Sequence, residues 1–408
     1  MEKPGAQNMT LNTEGRNCRN TYAPYLEKKF LHRIQNQNNM KYLQLAFLLL
    51  FTISYSFAQM DIPPSGGNPR ATISEEVGIT SITIKYSRPD VNKREGKIYG
   101  DGNLVPYGFT TNSFITNKNT APWRAGANEN TVITFEHDVT IEGQPLKAGS
   151  YGLHMAMAAD NVTLIFSTQT EAWGSFYYEE KYDALRVNVK PVTVDRSVEY
   201  LKYEFIEHKE KYCVIAMQWE KLSVPFKVDV DVDNIVLARL REQVTSQKGF
   251  NSNNMLQAAQ YCLNKNINLE EALAWSVRAI NGFQGQKSFI TLRNLANAYD
   301  KLKRTEQADS TMDEALLIAT ANQYTAYGRQ LITQKRADRA MEIFLASQKR
   351  YGDVSGVNNG LMSGYSAKGD FKKAILYAEK ALAQATNDAA KKQLEGNIAK
   401  LKEGKDIN

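Results

Sequence analysis

Hydrophobic positions along the chain change their period once. Near residue 79 they begin to alternate. Ile82, Ile84 and Tyr86 share one face of a strand and Thr83 and Lys85 the other, and Arg88-Pro89 ends it. Alternation or short apolar runs return at 131–135, 139–143 and 146–149. They return again at 151–157 and 162–167, which Ala159-Asp160-Asn161 joins as a tight turn. Further runs follow at 185–189, 200–206, 212–219 and 224–230, the last strictly alternating through Val224, Phe226, Val228 and Val230. Residues 92–122 read as loop. The pattern predicts about nine short strands and no helix, hence an antiparallel β-sandwich or barrel-like domain over 70–231.

At Asp231 the period becomes 3.6, with Ile235, Leu237, Leu240 and Val244 on one helical face. Ala272, Ala308, Ala340 and Ala374 then recur at intervals of 36, 32 and 34 residues. Each is followed seven residues later by another small side chain: Ala279, Ala315, Ser347 and Ala381. Small residues at these steps let the second helix of each hairpin approach its neighbour, and a period near 34 marks a two-helix repeat. The stretch from Gly369 to Leu382 closely resembles the tetratricopeptide pattern, and the other copies are weaker. Residues 232–405 are therefore expected to form an α-helical tetratricopeptide-like solenoid, an architecture that docks a protein or peptide partner. A stack that merely supports the β-domain is the competing reading, because a repeat reports architecture and not ligand.

The amino-terminal part reads differently. Lys41, the apolar run from Leu43 to Ile53, and small Ser56 and Ala58 have the order of a signal peptide over 40–58, with Gln59 as the new terminus. The run is short of the ~20 residues a bilayer span needs, so no stable membrane span is expected in the mature chain. Residues 1–39 are polar and aperiodic and read as a disordered extension or an upstream mis-translation, with Met40 as the start. Residues 59–69, rich in Pro and Gly, read as a linker. The expectation is an exported protein, periplasmic or extracellular.

Charge narrows the partners. The formal net charge is +6, but residues 1–59 hold seven Lys/Arg against three acids, leaving 43 against 41 from residue 60 onward. That near-neutrality gives a nucleic-acid partner no support. Past the signal only Cys213 and Cys262 remain, read as buried free thiols. His137, His154 and His208 stand singly, so neither a metal site nor any cofactor is expected.

Candidate chemistry concentrates in residues 122–130. Trp123 offers stacking, Arg124 and Asn128 directed hydrogen bonds, and Glu129 a carboxylate; Tyr107 and Trp173 add aromatic surface and His154 a titratable ring. Several ordered motifs carry a family resemblance: Tyr86-Ser-Arg-Pro89, Val105-Pro-Tyr-Gly108, residues 123–129, Leu146 to Leu153, Trp173-Gly174 and Leu185-Arg-Val187. Together, over roughly 70–207, they resemble the bacterial secreted family known as domain of unknown function 2911. The chain departs from that pattern in one loop, Phe109 to Pro122, which separates the Tyr-Gly and Trp-Arg motifs. The resemblance implies no activity.

Two functional readings fit these residues. In a binding site the aromatic rings stack on a sugar or peptide while Arg124 and Asn128 fix its polar groups. In a secreted hydrolase acting on glycan or peptide, Glu129 or His154 is the general acid or base. A structural role competes with both: Arg124 pairs with Glu129, Trp123 and Trp173 are core, and His154 is a satisfied histidine of an apolar strand. The absence of a Gly-x-Ser-x-Gly, His-Glu-x-x-His or phosphate-loop signature favours a non-enzymatic binding or scaffold protein.

Overall fold

A computed structural model describes residues 67–111 and 120–408. The signal-like segment, the extension before it and most of the linker lie outside the described residues.

The described β-rich region holds ten strands: β1 (Arg70–Val77), β2 (Thr80–Ser87), β3 (Thr131–Phe135), β4 (Val139–Ile141), β5 (Gln144–Leu146), β6 (Gly149–Met157), β7 (Val162–Ser167), β8 (Asp183–Val189), β9 (Val192–Lys209) and β10 (Tyr212–Val230). They form two antiparallel sheets, β1-β2-β3-β6-β7-β8 and β5-β4-β10-β9. Ile84 lies opposite Ile133 and Ile133 opposite Tyr151, so the inward faces line up across the larger sheet. Ile82, Phe135, Leu153 and Phe166 meet Leu201, Ile215, Trp219 and Phe226 of the smaller sheet in one buried cluster. Phe166 and Phe226 touch edge to face across the gap, 6.4 Å between centroids. This is a β-sandwich, with apolar residues of both inner faces removed from water.

Two details differ from the alternation pattern. β1 carries Arg70, Thr72, Ser74 and Glu76 on its exposed face and lies at a sheet edge, where one half-buried face suffices and the apolar signal is weak. The runs 212–219 and 224–230 form one strand, β10. Glu220, at φ 54°, is the irregular residue between register shifts, so the chain bulges and continues instead of turning.

Ten described helices follow: α1 (Val232–Thr245), α2 (Ser252–Lys265), α3 (Leu269–Asn281), α4 (Phe289–Lys301), α5 (Thr305–Leu316), α6 (Ala321–Thr333), α7 (Ala337–Tyr351), α8 (Ser355–Ala367), α9 (Phe371–Ala383) and α10 (Asp388–Lys402). Asp231 caps the first, accepting from the Asn234 N–H. Capping boxes at Ser288 and Thr320 start α4 and α6. Ala272, Ala308, Ala340 and Ala374 fall on α3, α5, α7 and α9, each buried, as are Ala279, Ala315, Ser347 and Ala381 a further two turns along. The result is a tetratricopeptide-like stack of helical hairpins. Cys213 on β10 and Cys262 on α2 are free and buried. Among the described residues no helix is long and apolar enough to cross a membrane.

Phe344 of α7 sets one of the closest contacts in the stack. Its ring is buried against three helical glycines, Gly328 on α6 and Gly360 and Gly364 on α8. A β-carbon on Gly360 would stand 2.7 Å from the ring and one on Gly364 2.6 Å, and Gly328 lies closer still. These glycines are required by space, since their backbone is ordinary helix. Gly396 on α10 is the contrast, with nothing within 4 Å of its would-be β-carbon. Gly328→Ala is expected to lower the urea midpoint of the helical circular-dichroism signal, by about 1–3 kcal/mol for overpacking. Gly396→Ala should raise it by about 0.5–1 kcal/mol, the helix preference of Ala over Gly. Equal effects at the two sites would contradict the packing role of the Gly328 contact.

Candidate functional site

Trp123 begins the segment that builds the site. Its N–H donates to the Met155 carbonyl at 3.0 Å and its carbonyl accepts from Met155 at 2.8 Å. Trp123 thus adds one residue of pairing to β6 beyond Leu153, which pairs with the first residue of β3. The indole N–H turns back to the Gly126 carbonyl at 3.1 Å, closing the turn. The ring stacks on Trp219 of β10, 6.0 Å between centroids with planes 20° apart, and meets Tyr99 edge-on.

Ala125 and Asn128 carry positive φ, 52° and 57°. Asn tolerates this region; for Ala it is strained. Two hydrogen bonds hold Ala125 there. Its carbonyl accepts from Tyr203 Oη of β9 at 2.8 Å and from Thr131 Oγ1 of β3 at 3.0 Å. Gly126 has no room for a side chain, since a β-carbon would stand 2.7 Å from Thr131 Oγ1.

Arg124 lies over the Phe176 ring, 4.6 Å from its centroid, and donates from Nη1 to the Asn128 carbonyl at 2.6 Å. Gly174, at φ +60°, leaves the space that the guanidinium fills. No described carboxylate pairs with Arg124. Burial therefore pulls its pKa below the ordinary arginine value, though the group stays cationic. Glu129, the pairing partner that sequence proximity suggests, instead binds Arg70 and accepts from Ser87 Oγ at 3.2 Å. Burial pushes the Glu129 carboxyl up, but its own backbone N–H, Arg70 and Ser87 outweigh that and leave it below its usual value.

His154 is 2% exposed, with Nδ1 3.0 Å from Ser175 Oγ and its ring edge-on to Tyr178. Burial first, and then the charge of Arg124, push its pKa down to about 4. The ring is neutral at ordinary pH.

Some of these groups border a cleft of about 550 Å³. Trp123, Arg124 and Asn128 line it; Tyr107, Glu129, His154 and Trp173 do not. Tyr107 and Trp173 are exposed, so Trp173 is not core, and Trp123 is only half-buried. Sequence reasoning missed Trp219, Ser175, Asn103 and Arg94, which also line the cleft. Ser175 adjoins the Trp173-Gly174 motif, but its direction depends on the positive φ of Gly174. Trp219 reads in sequence only as the last residue of a strand run. No group of three or more His, Cys, Asp or Glu placed to hold a metal occurs among the described residues.

Residues 68–228 match the family model described as Protein of unknown function (DUF2911). The match runs beyond 207 to include β9 and most of β10. Among solved structures, the APC/C hetero-tetramer Cut9-Hcn1 is similar with 17% identity and a TM-score of 0.29, over 42% of this chain and 33% of that one. The chain thus spans about a third of that relative. YrrB, described as a TPR protein with an unusual peptide-binding site, has 14% identity and a TM-score of 0.27, over 40% of this chain and 84% of that one. MamA AMB-1 has 14% identity and a TM-score of 0.24, over 38% of this chain and 85% of that one. No curated protein matches the chain.

The buried histidine makes a pH prediction. His154 protonates at an ordinary 6.5 when unfolded and at about 4 when folded. As pH falls from 6.5 toward 4, the unfolded chain takes up a proton that the native ring refuses. The stability of the neutral burial is therefore complete above about pH 6.5 and lost on acidification. Between pH 7 and 4.5 the loss amounts to about 2–3 kcal/mol. In urea unfolding followed by the tryptophan signal, His154→Asn should lack this component of the acid slope, and profiles that stay parallel would refute it.

Proposed function

We propose that the protein is an exported binding and scaffold protein, whose β-domain holds a ligand and whose helical repeats dock an extended segment of a partner protein. The observation that carries this reading is a pair of clefts flanking α6. Gln323, Tyr327 and Gln330 share one face of α6, and Gln334 at its C-cap continues the row, at spacings of four, three and four residues. They line a cleft of about 530 Å³ with α2, α4 and α5. Asn322, Thr325, Ala326 and Arg329 occupy the adjacent face and line a second, of about 560 Å³, with α8 and α10.

Amides dominate both linings, including Asn264 and Asn297 in the first and Asn359 and Asn397 in the second. A carboxamide offers a donor and an acceptor together, which suits the alternating N–H and C=O groups of an extended chain. Three cationic side chains stand among them, Arg293 and Arg336 in the first cleft and Arg329 in the second. Arg293 reaches Gln330 Oε1 at 3.3 Å and Arg329 reaches Ser363 Oγ at 3.2 Å. Asp300 and Asp309 are engaged by Gln334 and Arg336. Leu263, Phe289, Ile290 and Met312 also line the first cleft, so directional amides alternate there with apolar surface, a mixed character that suits a reversible docking groove.

A hydrolase remains the alternative for the β-domain, and Ser175 beside His154 is the pair it would use most readily. Arg124 opposes the imidazolium that such a reaction needs, and Ser175 is the hydrogen-bond partner of His154 where an orienting carboxylate would help. Glu129 is tied to Arg70 outside the cleft. The arrangement supports binding over turnover.

Peptide display against the chain from Gln59 onward tests the groove. Enriched extended peptides should bind about tenfold or more weakly to the Asn297→Ala/Gln330→Ala double variant, at about 1 kcal/mol per lost hydrogen bond. Peptides bound equally by both chains, or none enriched, would sink the docking reading. Export has its own check. After expression from Met40 in a bacterial host with an envelope, the product outside the cytoplasm should begin at Gln59; full-length protein retained in the cytoplasm would count against it.

A further inference from the structure

We propose that the β-domain cleft is an anion site, and that its ligand is a small carboxylate-bearing compound with a flat face, anchored by Arg124. The proposal rests on the reading of the β-domain as a ligand-binding module and names the chemistry of that ligand.

Three independent observations converge on it. The first is charge. Among the described residues no Asp or Glu lines the cleft, whereas Arg94 and Arg124 do. Arg94 is committed to Asp90 and to the Val91 and Asp90 carbonyls. Arg124 is not. It spends Nη1 on the Asn128 carbonyl, and its Nε and Nη2 have no acceptor among the described residues. A planar guanidinium presenting an unused N–H fork is matched to a carboxylate, which accepts two parallel hydrogen bonds.

The second is unmet donors. Trp219 is 1% exposed, and its Nε1 has no hydrogen-bond partner among the described residues. Asn128 Nδ2 is likewise buried and unpartnered, while its Oδ1 accepts from Asn68. Buried orphan donors are uncommon, because each loses its water without replacement. Both residues line the cleft beside Arg124, and each donor needs a small opening of its surroundings to reach an acceptor there.

The third is shape. Half-buried Trp123, backed by the buried Trp219 ring stacked on it, gives the cleft an aromatic wall, and about 550 Å³ falls in the range of ~300–1,000 Å³ usual for small-molecule sites. Inorganic phosphate would satisfy the cation but leave that wall unused. A hexuronic acid and an aromatic acid share the required chemistry, a carboxylate beside a ring face. The Arg124 mounting is rigid: Phe176 covers one face, Gly174 has no side chain to displace it, and the Asn128 carbonyl fixes one nitrogen. The fork is therefore ordered before the ligand arrives, which limits the conformational cost of binding.

Titration calorimetry on the chain from Gln59 onward tests this with glucuronate against glucose and with benzoate against benzamide. At least one acid should bind ten times or more tightly than its neutral counterpart, and which acid does so distinguishes the sources. Arg124→Gln should bring the ratio to about one. Because Arg124 is part of the packing, the exposed Thr111→Glu at the cleft rim provides a second variant; it adds like charge and should weaken the acid while leaving the neutral ligand unchanged. If acid and neutral ligands bind equally, the anion assignment falls and the ligand-binding reading stands. If none of the four binds, both fall. A preference for acid that survives in folded Arg124→Gln would also overturn the proposal.

Discussion

The Ala125 carbonyl is the point on which the β-domain's site depends. It accepts from Thr131 on the six-stranded sheet and from Tyr203 on the four-stranded one, so one oxygen ties the loop to both layers of the sandwich. Tyr203 is itself fixed, its backbone N–H donating to Tyr86 Oη and its ring packed edge-on to Tyr86 at 4.8 Å. Ala125 can hold an unfavourable positive φ only because these bonds over-determine it. That backbone turn in turn faces Trp123 toward Trp219 and sets Arg124 beneath Phe176. The cleft is thus built from the sandwich core outward.

The helical stack solves a different problem. Each hairpin has an apolar face to cover, and the stripe of small residues on α3, α5, α7 and α9 lets the next helix approach closely. Around Phe344 the same logic reaches its limit. One large ring is accommodated by three glycines, each unfavourable for helix formation by about 1 kcal/mol relative to Ala. Local preference yields there to packing. At the junction with the sandwich, Lys211 in the β10 hairpin pairs with Asp233 of α1, and Tyr261 of α2 donates to the same carboxylate at 3.0 Å. The chain passes from Val230 to Val232 with Val232 still inside the sandwich core.

Much of this was legible in the sequence. The change of period at Asp231 and the spacing of Ala272, Ala308, Ala340 and Ala374 carry the architecture, since strands and helices bury residues at different intervals. The edge strand β1 and the bulge at Glu220 were not legible as such, because an edge needs few apolar residues and a bulge conceals continuity. The site was half legible. Trp123, Arg124 and Asn128 could be picked out as a cluster of chemistry-bearing residues. Their neighbours could not, because Ser175 lies 51 and Trp219 95 residues beyond Arg124 in the chain, and closure of the two sheets brings them together. Proximity also misled: Glu129, five residues from Arg124, faces the other side of its turn and binds Arg70.

Anion recognition by a preordered guanidinium is the central claim, and the side-chain ¹⁵Nε resonance of Arg124 reports on it directly. Titrating the labelled chain with glucuronate or benzoate should move that resonance, identified by its loss in Arg124→Lys, together with the Trp219 indole signal. Saturable binding that leaves both resonances in place would contradict the assignment.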